Sequence, residues 1–481
     1  MISAMHPLLI LLVGMAVVMG GILAFRLHAF IALILGALVV AALTSPDMVE
    51  SYWEKGKTAG GDKSVEWMSQ RMRTENAERL SEESFPKFVT RGFGLGAMSL
   101  GIVIAMAAII GKCLLESGAA QRIVMGIRRL FGDKRAPLAF ASSSFFVGIP
   151  VFFDTVFYLL MPIGKAMAAK TKKNYLLLIL CMVAGGTMAH SLVPPTPGPL
   201  LVAESLGVNI GTMILGGLIV GSITVAAGYL YASWLNKRMI IPLRPSAFDS
   251  TETVEIDEAK LPSLWFSVLP ILLPVVLIAG ENIVDQLVEN VPTWLKVLGD
   301  KNVALTLAAI VAIGLVLSRQ GRSLRNVSES IQSALGSGGV IILITSAGGA
   351  FGYCLKQTGI GHTLGDLTPD SKFWLLPAAF ALTSLIRIAQ GSATVSMITA
   401  IGIVAPLAAA GLPYNPVYLA LAIGCGSKPI PWMNDSGFWI ISKMSGMTEA
   451  ETLKSVSVML TIMGLVGLPV VMLGAWLFPL A

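Results

Sequence analysis

The sequence predicts an all-α polytopic membrane protein. It is read as two inverted-topology repeats, each with about five spanning helices and one re-entrant hairpin, and with broken helices at the centre. Three observations predict this. Apolar stretches repeatedly reach the ~20 residues that a helix needs to cross a hydrocarbon core. Glycine landmarks recur at a near-constant offset along the chain. Basic residues gather in the connections between apolar stretches. Of the 481 residues, 55% are hydrophobic and 13% charged, and the mean hydropathy is +0.77. A soluble chain of this length would need far more polar surface.

The elements follow in order. Met5 to Phe25 and His28 to Thr44 are the first two spans. The first lacks a basic leader and is followed almost at once by another span, so it reads as a helix and not as a removable signal. Ser45 to Arg91 is polar and charge-balanced, and is expected to be an external loop carrying a surface helix. Gly92 to Leu115 is the next span. Ser117 to Phe131 is amphipathic, with Ile123, Val124, Ile127 and Leu130 on one face and Arg122, Arg128 and Arg129 opposite, which predicts a helix along the cytoplasmic surface. Residues 136–164 are apolar but interrupted at Val147-Gly148-Ile149-Pro150. Tyr175 to Val193 opens a span that Pro194 to Pro199 breaks, giving a broken helix over 175–200, and Gly211 to Trp234 closes the first half. Residues 246–261 form an acidic cytoplasmic linker. The second half offers Pro262 to Gly280, Lys301 to Ser318 and Gly338 to Leu355. It continues with an interrupted stretch over 373–410, a broken helix over 416–440, and Ser455 to Leu480. The repeats are therefore placed at 1–245 and 262–481.

Gly111-Lys112-Cys113-Leu114 resembles Gly352-Tyr353-Cys354-Leu355, and Gly185, Gly198 and Gly207 fall 239 residues before Gly424, Gly437 and Gly446. Gly148 lies opposite Gly391. Loop charge sets the orientation. Arg26, His28, Arg122, Arg128, Arg129, Lys134, Arg135, Lys165, Lys170, Lys172, Lys173, Lys237, Arg238, Arg244, Arg319, Arg322 and Arg325 all fall on the cytoplasmic side only if 136–164 enters and leaves on one side, as a hairpin. Five spans and a hairpin per half then invert the second half. Glu281, Asp285, Glu289 and Asp300 fall outside, and both chain ends are expected to be periplasmic. The net charge of +6 is thus loop charge and not a nucleic-acid surface. Cys113, Cys181, Cys354 and Cys425 sit in apolar stretches with no CxxC pair, so no disulfide, metal site or cofactor is expected.

Interrupted helices in corresponding places of two repeats are the best sequence pointer to a transporter site. The four breaks lie at Phe146 to Asp154, His190 to Pro199, Arg387 to Thr394 and Gly424 to Gly437. Backbone N–H groups freed there need partners, and the positive end of a half-helix favours a carboxylate. Candidate substrate-binding residues are Gly148, Ser191, Thr196, Gly198, Arg387, Gly391, Ser392, Thr394, Lys428, Asn434 and Ser436. Candidate carriers of a coupling proton are Asp154, Asp435 and His190. Intramembrane charges tend to be paired or functional. The alternative is that Asp154 with Arg387, or Lys428 with Asp435, neutralise each other as structural pairs. Glu204 lies past its break. Phe145, Phe146, Phe152, Phe153 and Trp432 read as packing.

These residues resemble the gluconate permease family of the ion transporter superfamily. The likeness runs through Gly118-Ala119-Ala120-Gln121-Arg122-Ile123, Phe152-Phe153-Asp154, His190 to Pro199, Gly391-Ser392-Ala393-Thr394 and Asn434-Asp435-Ser436-Gly437-Phe438-Trp439. The resemblance implies secondary active import of gluconate, a related sugar acid or a small hydroxy-carboxylate. It implies proton symport and an elevator-like movement, in a multi-pass protein of the bacterial inner membrane, with a homodimer as the assembly expected by analogy. Gluconate carriers often have His where this chain has Thr196, and Glu where it has Asp154; both departures bear on substrate and coupling. The alternative is a sodium-coupled carboxylate or D-serine carrier. No HExxH, GxSxG elbow or cofactor loop points to an enzyme, and no soluble output domain points to a sensor.

Overall fold

In lipid every backbone N–H and C=O must be satisfied within the segment, so uncharged apolar runs fold as helices. The computed structural model describes residues 5–54, 82–132, 135–171, 173–244, 261–288, 291–318, 324–360, 372–409, 411–433 and 435–480, and the described residues form helices and connections without a strand. The first half carries α1 (Pro7–Leu23), α2 (Ala29–Leu43), α3 (Pro46–Glu54), α4 (Phe85–Glu116), α5 (Ala119–Phe131), α6 (Ala136–Val147), α7 (Phe153–Thr171), α8 (Tyr175–Leu192), α9 (Pro197–Ser205) and α10 (Ile210–Asn236). The second carries α11 (Leu264–Leu287), α12 (Thr293–Gly299), α13 (Lys301–Leu317), α14 (Leu324–Gln357), α15 (Leu375–Gln390), α16 (Ala393–Ala408), α17 (Pro416–Gly426), α18 (Ser436–Ser445) and α19 (Glu449–Leu477). Lys134, Lys172, Glu289, Arg319, Arg322, Asn434 and most of the linker lie outside the described residues, as do residues 55–81 of the expected external loop.

Local chemistry sets the boundaries. Proline opens α1, α3, α9 and α17, where its missing N–H costs nothing. His6 and His28 accept from Leu8 N and Phe30 N through Nδ1, at 3.3 and 3.4 Å, and so cap α1 and α2. Among the described residues six helices are long and apolar enough to cross a membrane, or up to eight if the bent pairs α2–α3 and α12–α13 each count once. This makes the chain a multi-pass membrane protein. The shortfall against about five spans per half lies in stretches that break or stop early. α1 has 17 residues, roughly 25 Å of rise, while Pro416 to Trp439 divides into helices of 11 and 10 residues.

Helix starts at 85, 136, 153, 175, 197 and 210 recur at 324, 375, 393, 416, 436 and 449, offsets of 239 to 241 residues. One group of helices is built around α4 and α14, with α2 and α13 against them. Gly92 and Gly96 make this crossing possible. A Cβ at Gly92 would lie 2.9 Å from Ala350 Cα, and one at Gly96 would lie 3.0 Å from Ser346 Cα. The helices approach this closely because α4 carries no side chain at these two positions, where it meets Ser346, Ala350 and Tyr353 of α14. The other group packs α8 against α6 and α10, α15 against α17, and α19 against α10 and α17. α14 touches α16 across the boundary, and α10 touches α11. A polar tie also crosses it. Glu204 at the end of α9 accepts from Ser99 of α4 at 2.6 Å and pairs with Lys301 of α13 at 2.5 Å.

α5 packs on α6 and α11, with Ile123 and Val124 buried and Arg122 Nε donating to Pro262 O at 2.9 Å. Leu130, in the last turn, is 83% exposed.

Candidate functional site

The breaks place helix ends, and the ends make the site. α7, α16 and α18 all begin at one cavity of about 300 Å³, and the C-terminal turn of α8 and the segment after α17 complete its polar wall. Ile341 and Ile344 of α14 close it on the side of the other helix group. Each helix start presents N–H groups without intrahelical acceptors. Two of the three starts already hold a carboxylate. Asp154 lies in the first turn of α7, and Asp435 is the N-cap of α18, accepting from Gly437 N at 2.9 Å. The start of α16 holds only hydroxyls: Ser392 caps Val395 N at 3.3 Å, and Thr394 follows. It is the start best suited to an incoming anion.

Arg387 does not offer itself to a ligand. It is 5% exposed, pairs through Nη2 with Asp435, donates through Nη1 to Gly391 O, and donates through Nε to Ser427 O at 3.1 Å. The guanidinium therefore ties together the α15–α16 tip, the end of α17 and the start of α18. The pairing is neither of the two expected alternatives: Arg387 goes with Asp435, not with Asp154. Lys428 is 3% exposed and donates hydrogen bonds to Thr187 O at 2.7 Å and Ser191 Oγ at 2.5 Å. Among the described residues no carboxylate lies within 4.0 Å of its ammonium. Asp154 likewise has no hydrogen bond or ion pair among them. The position that a Gly437 side chain would take lies 3.3 Å from an Asp435 oxygen and 3.7 Å from an Asp154 oxygen, so glycine keeps the gap between the two acids open.

His190 is the one residue of α8 that is not buried. Its Nε2 lies 3.1 Å from Thr394 Oγ1, joining the two halves across the cavity, and its Nδ1 is buried with no hydrogen-bond partner among the described residues. Phe152 meets the imidazole edge-on, with ring centroids 5.8 Å apart.

Of the residues singled out from sequence, Asp154, His190, Arg387, Ser392, Thr394, Lys428, Asp435 and Ser436 line this cavity. Ser191 stands behind it as an acceptor for Lys428. Gly391, with φ of 87°, ends α15 in the left-handed conformation that glycine adopts freely. Gly148 packs against the backbone of Ser144, and Gly198 against Met397. Thr196 donates to Val193 O at 2.7 Å within its own break and does not line the cavity. Pro194 and Pro195 face a separate, small apolar cleft with Ile149 and Ile278. Asn434 lies outside the described residues. Sequence reasoning did not single out Thr187 and Ser427, and it assigned Phe152 and Phe153 to packing; all four line the cavity. Thr187 could have been found, since it precedes His190 by three residues on a helix and so shares its face.

The chain matches a family profile described as GntP family permease over residues 77–477. It is 34% identical to the low-affinity gluconate transporter of Escherichia coli strain K12 over 386 residues, which span 78% of this chain and 85% of that one. It is 29% identical to the Gnt-II system L-idonate transporter of the same strain, over 96% of this chain and 97% of that one. Its fold resembles the YdaH transporter of Alcanivorax borkumensis, with a TM-score of 0.64 at 14% identity, covering 95% of this chain and all of that one.

Proposed function

This chain belongs to the GntP family of permeases, and on that premise we propose that it imports gluconate or a related sugar acid across a bacterial inner membrane by proton symport. The observation that carries the reading is the cavity itself. A buried lysine with no carboxylate within 4.0 Å among the described residues and a helix start that holds only hydroxyls share one polar wall, while an imidazole and further hydroxyls line the rest. The substrate carboxylate sits between Lys428 and the start of α16, where a charged donor and the helix dipole act together. Ser392, Thr394, Ser436 and His190 face the polyol. Asp154 carries the coupled proton, because among the described residues no cation pairs with it, whereas Asp435 is committed to Arg387. The near-constant offset of six helix starts supports two repeats, and loop charge supports their inversion with α6–α7 and α15–α16 as hairpins. Movement of the group of α6–α10 and α15–α19 against the scaffold built on α4 and α14 would expose the cavity to alternate sides, in the manner of an elevator.

Uptake of radiolabelled D-gluconate into proteoliposomes tests the reading. Accumulation should need an inward proton gradient, collapse with a protonophore and survive replacement of sodium by choline. Asp154→Asn should lose gradient-driven accumulation and keep gluconate exchange. Accumulation that follows sodium, or that is unchanged in Asp154→Asn, would sink the coupling assignment.

A further inference from the structure

Lys428 is followed by Pro429-Ile430-Pro431, and Ile430 has φ of 49°. Left-handed backbone is uncommon for a β-branched residue, and a following proline pushes its predecessor toward extended backbone instead. Such a conformation persists only where its surroundings over-determine it, and it clusters at functional sites. Here the surroundings are one face of α19. Ile430 N donates to Thr461 Oγ1 at 2.9 Å. Ser457 Oγ donates to Pro431 O, and Thr461 Oγ1 donates in turn to Ser457 O at 2.7 Å. One turn further, a Cβ at Gly464 would lie 3.1 Å from Lys428 Cβ and 2.9 Å from Cys425 O, so the helix touches the segment directly. Positions 457, 461 and 464 share a helix face, and Ser457 closes the single π turn of α19, Leu453–Ser457, a device that recurs at functional sites.

We infer that Ser457, Thr461 and Gly464 form a rail that holds the strained segment so that Lys428 reaches across to Thr187 and Ser191. Thr461 and Ser457 are positioning residues for the substrate's cation, acting through the backbone of residues 428–431. The inference rests on Lys428 as the group that meets the substrate carboxylate.

The test compares wild type, Thr461→Val, Thr461→Ser, Ile430→Gly and the double variant I430G/T461V in the full chain. Its readouts are radiolabelled D-gluconate uptake into proteoliposomes and the melting temperature in detergent. Thr461→Val should raise KM about tenfold with Vmax changed less than about threefold, the signature of lost binding rather than lost turnover. Thr461→Ser should keep the KM of wild type. The double variant should recover most of the loss, because glycine takes φ near 49° without a brace. Wild-type KM in Thr461→Val overturns the inference, and so does a KM defect that Ile430→Gly leaves in place. Lys428→Gln separates the two readings. If it transports as wild type does, Lys428 is not the substrate's cation. The melting temperatures then decide the rail alone: a drop in Thr461→Val that Ile430→Gly reverses supports it, and no drop overturns it.

Discussion

At the scale of residues, the site is organised by which charge is spoken for. Arg387 and Asp435 form a largely buried pair, with side chains 5% and 15% exposed, and the guanidinium also holds two backbone carbonyls. Removing one partner of such a pair costs about 3–5 kcal/mol, because the other charge is left buried and unmatched. Asp435→Asn, which keeps the cap on Gly437, should therefore lower thermal stability and transport together. Arg387→Gln with Asp435→Asn should regain much of the stability in a thermal melt. A double variant as unstable as the single would mean that the guanidinium is needed for its bonds to Gly391 and Ser427 rather than for charge balance. The sequence exposed the four charged residues of the cavity, Asp154, Arg387, Lys428 and Asp435, because each stands out against an apolar background. It did not expose the pairing. Arg387 and Asp435 are 48 positions apart, and only the packing of α15 on α17 brings them together. The Pro194 to Pro199 break misled for a related reason. Proline density marks where a helix stops, not the direction in which the freed groups face, and Thr196 turns back to its own Val193.

At the scale of elements, long apolar runs were legible almost to the residue: Tyr175 to Val193 became α8, and His28 to Thr44 became α2. Hydropathy carried that information. It carried nothing about which glycine faces a neighbour, since Gly92, Gly96 and Gly101 look alike in sequence. In the structure Gly96 meets the α14 backbone while Gly101 has open space around it. Gly96→Val should force α4 and α14 apart and cost about 1–3 kcal/mol. Gly101→Ala should be neutral or stabilising by about 0.5–1 kcal/mol. Melting curves of the two variants check this; equal destabilisation would mean that the crossing is looser than these distances imply. The π turn of α19 was equally invisible, because one extra residue in a turn leaves no mark on an apolar helix.

At the scale of the whole molecule, the two helix groups meet through apolar faces and through a polar tie of Glu204 with Ser99 and Lys301. The halves share helix spacing but not chemistry. Arg387, Lys428 and Asp435 all belong to the second half, and Asp154 and His190 to the first. The cavity thus holds two acidic and two basic side chains, and that balance has an electrical consequence. If this group of helices carries the site through the membrane field, the empty carrier moves no net charge. A carrier loaded with one monoanion and one proton moves none either. Each uncompensated charge would couple to a potential of 100 mV by about 2.3 kcal/mol, roughly fiftyfold in an equilibrium. Gluconate uptake into vesicles clamped with potassium and valinomycin should therefore ignore the sign of the voltage and answer only to the pH difference. A strong dependence on voltage would require a second proton or a differently charged cargo. A cell whose membrane potential has collapsed, but whose interior is still alkaline, would on this account continue to feed through the carrier.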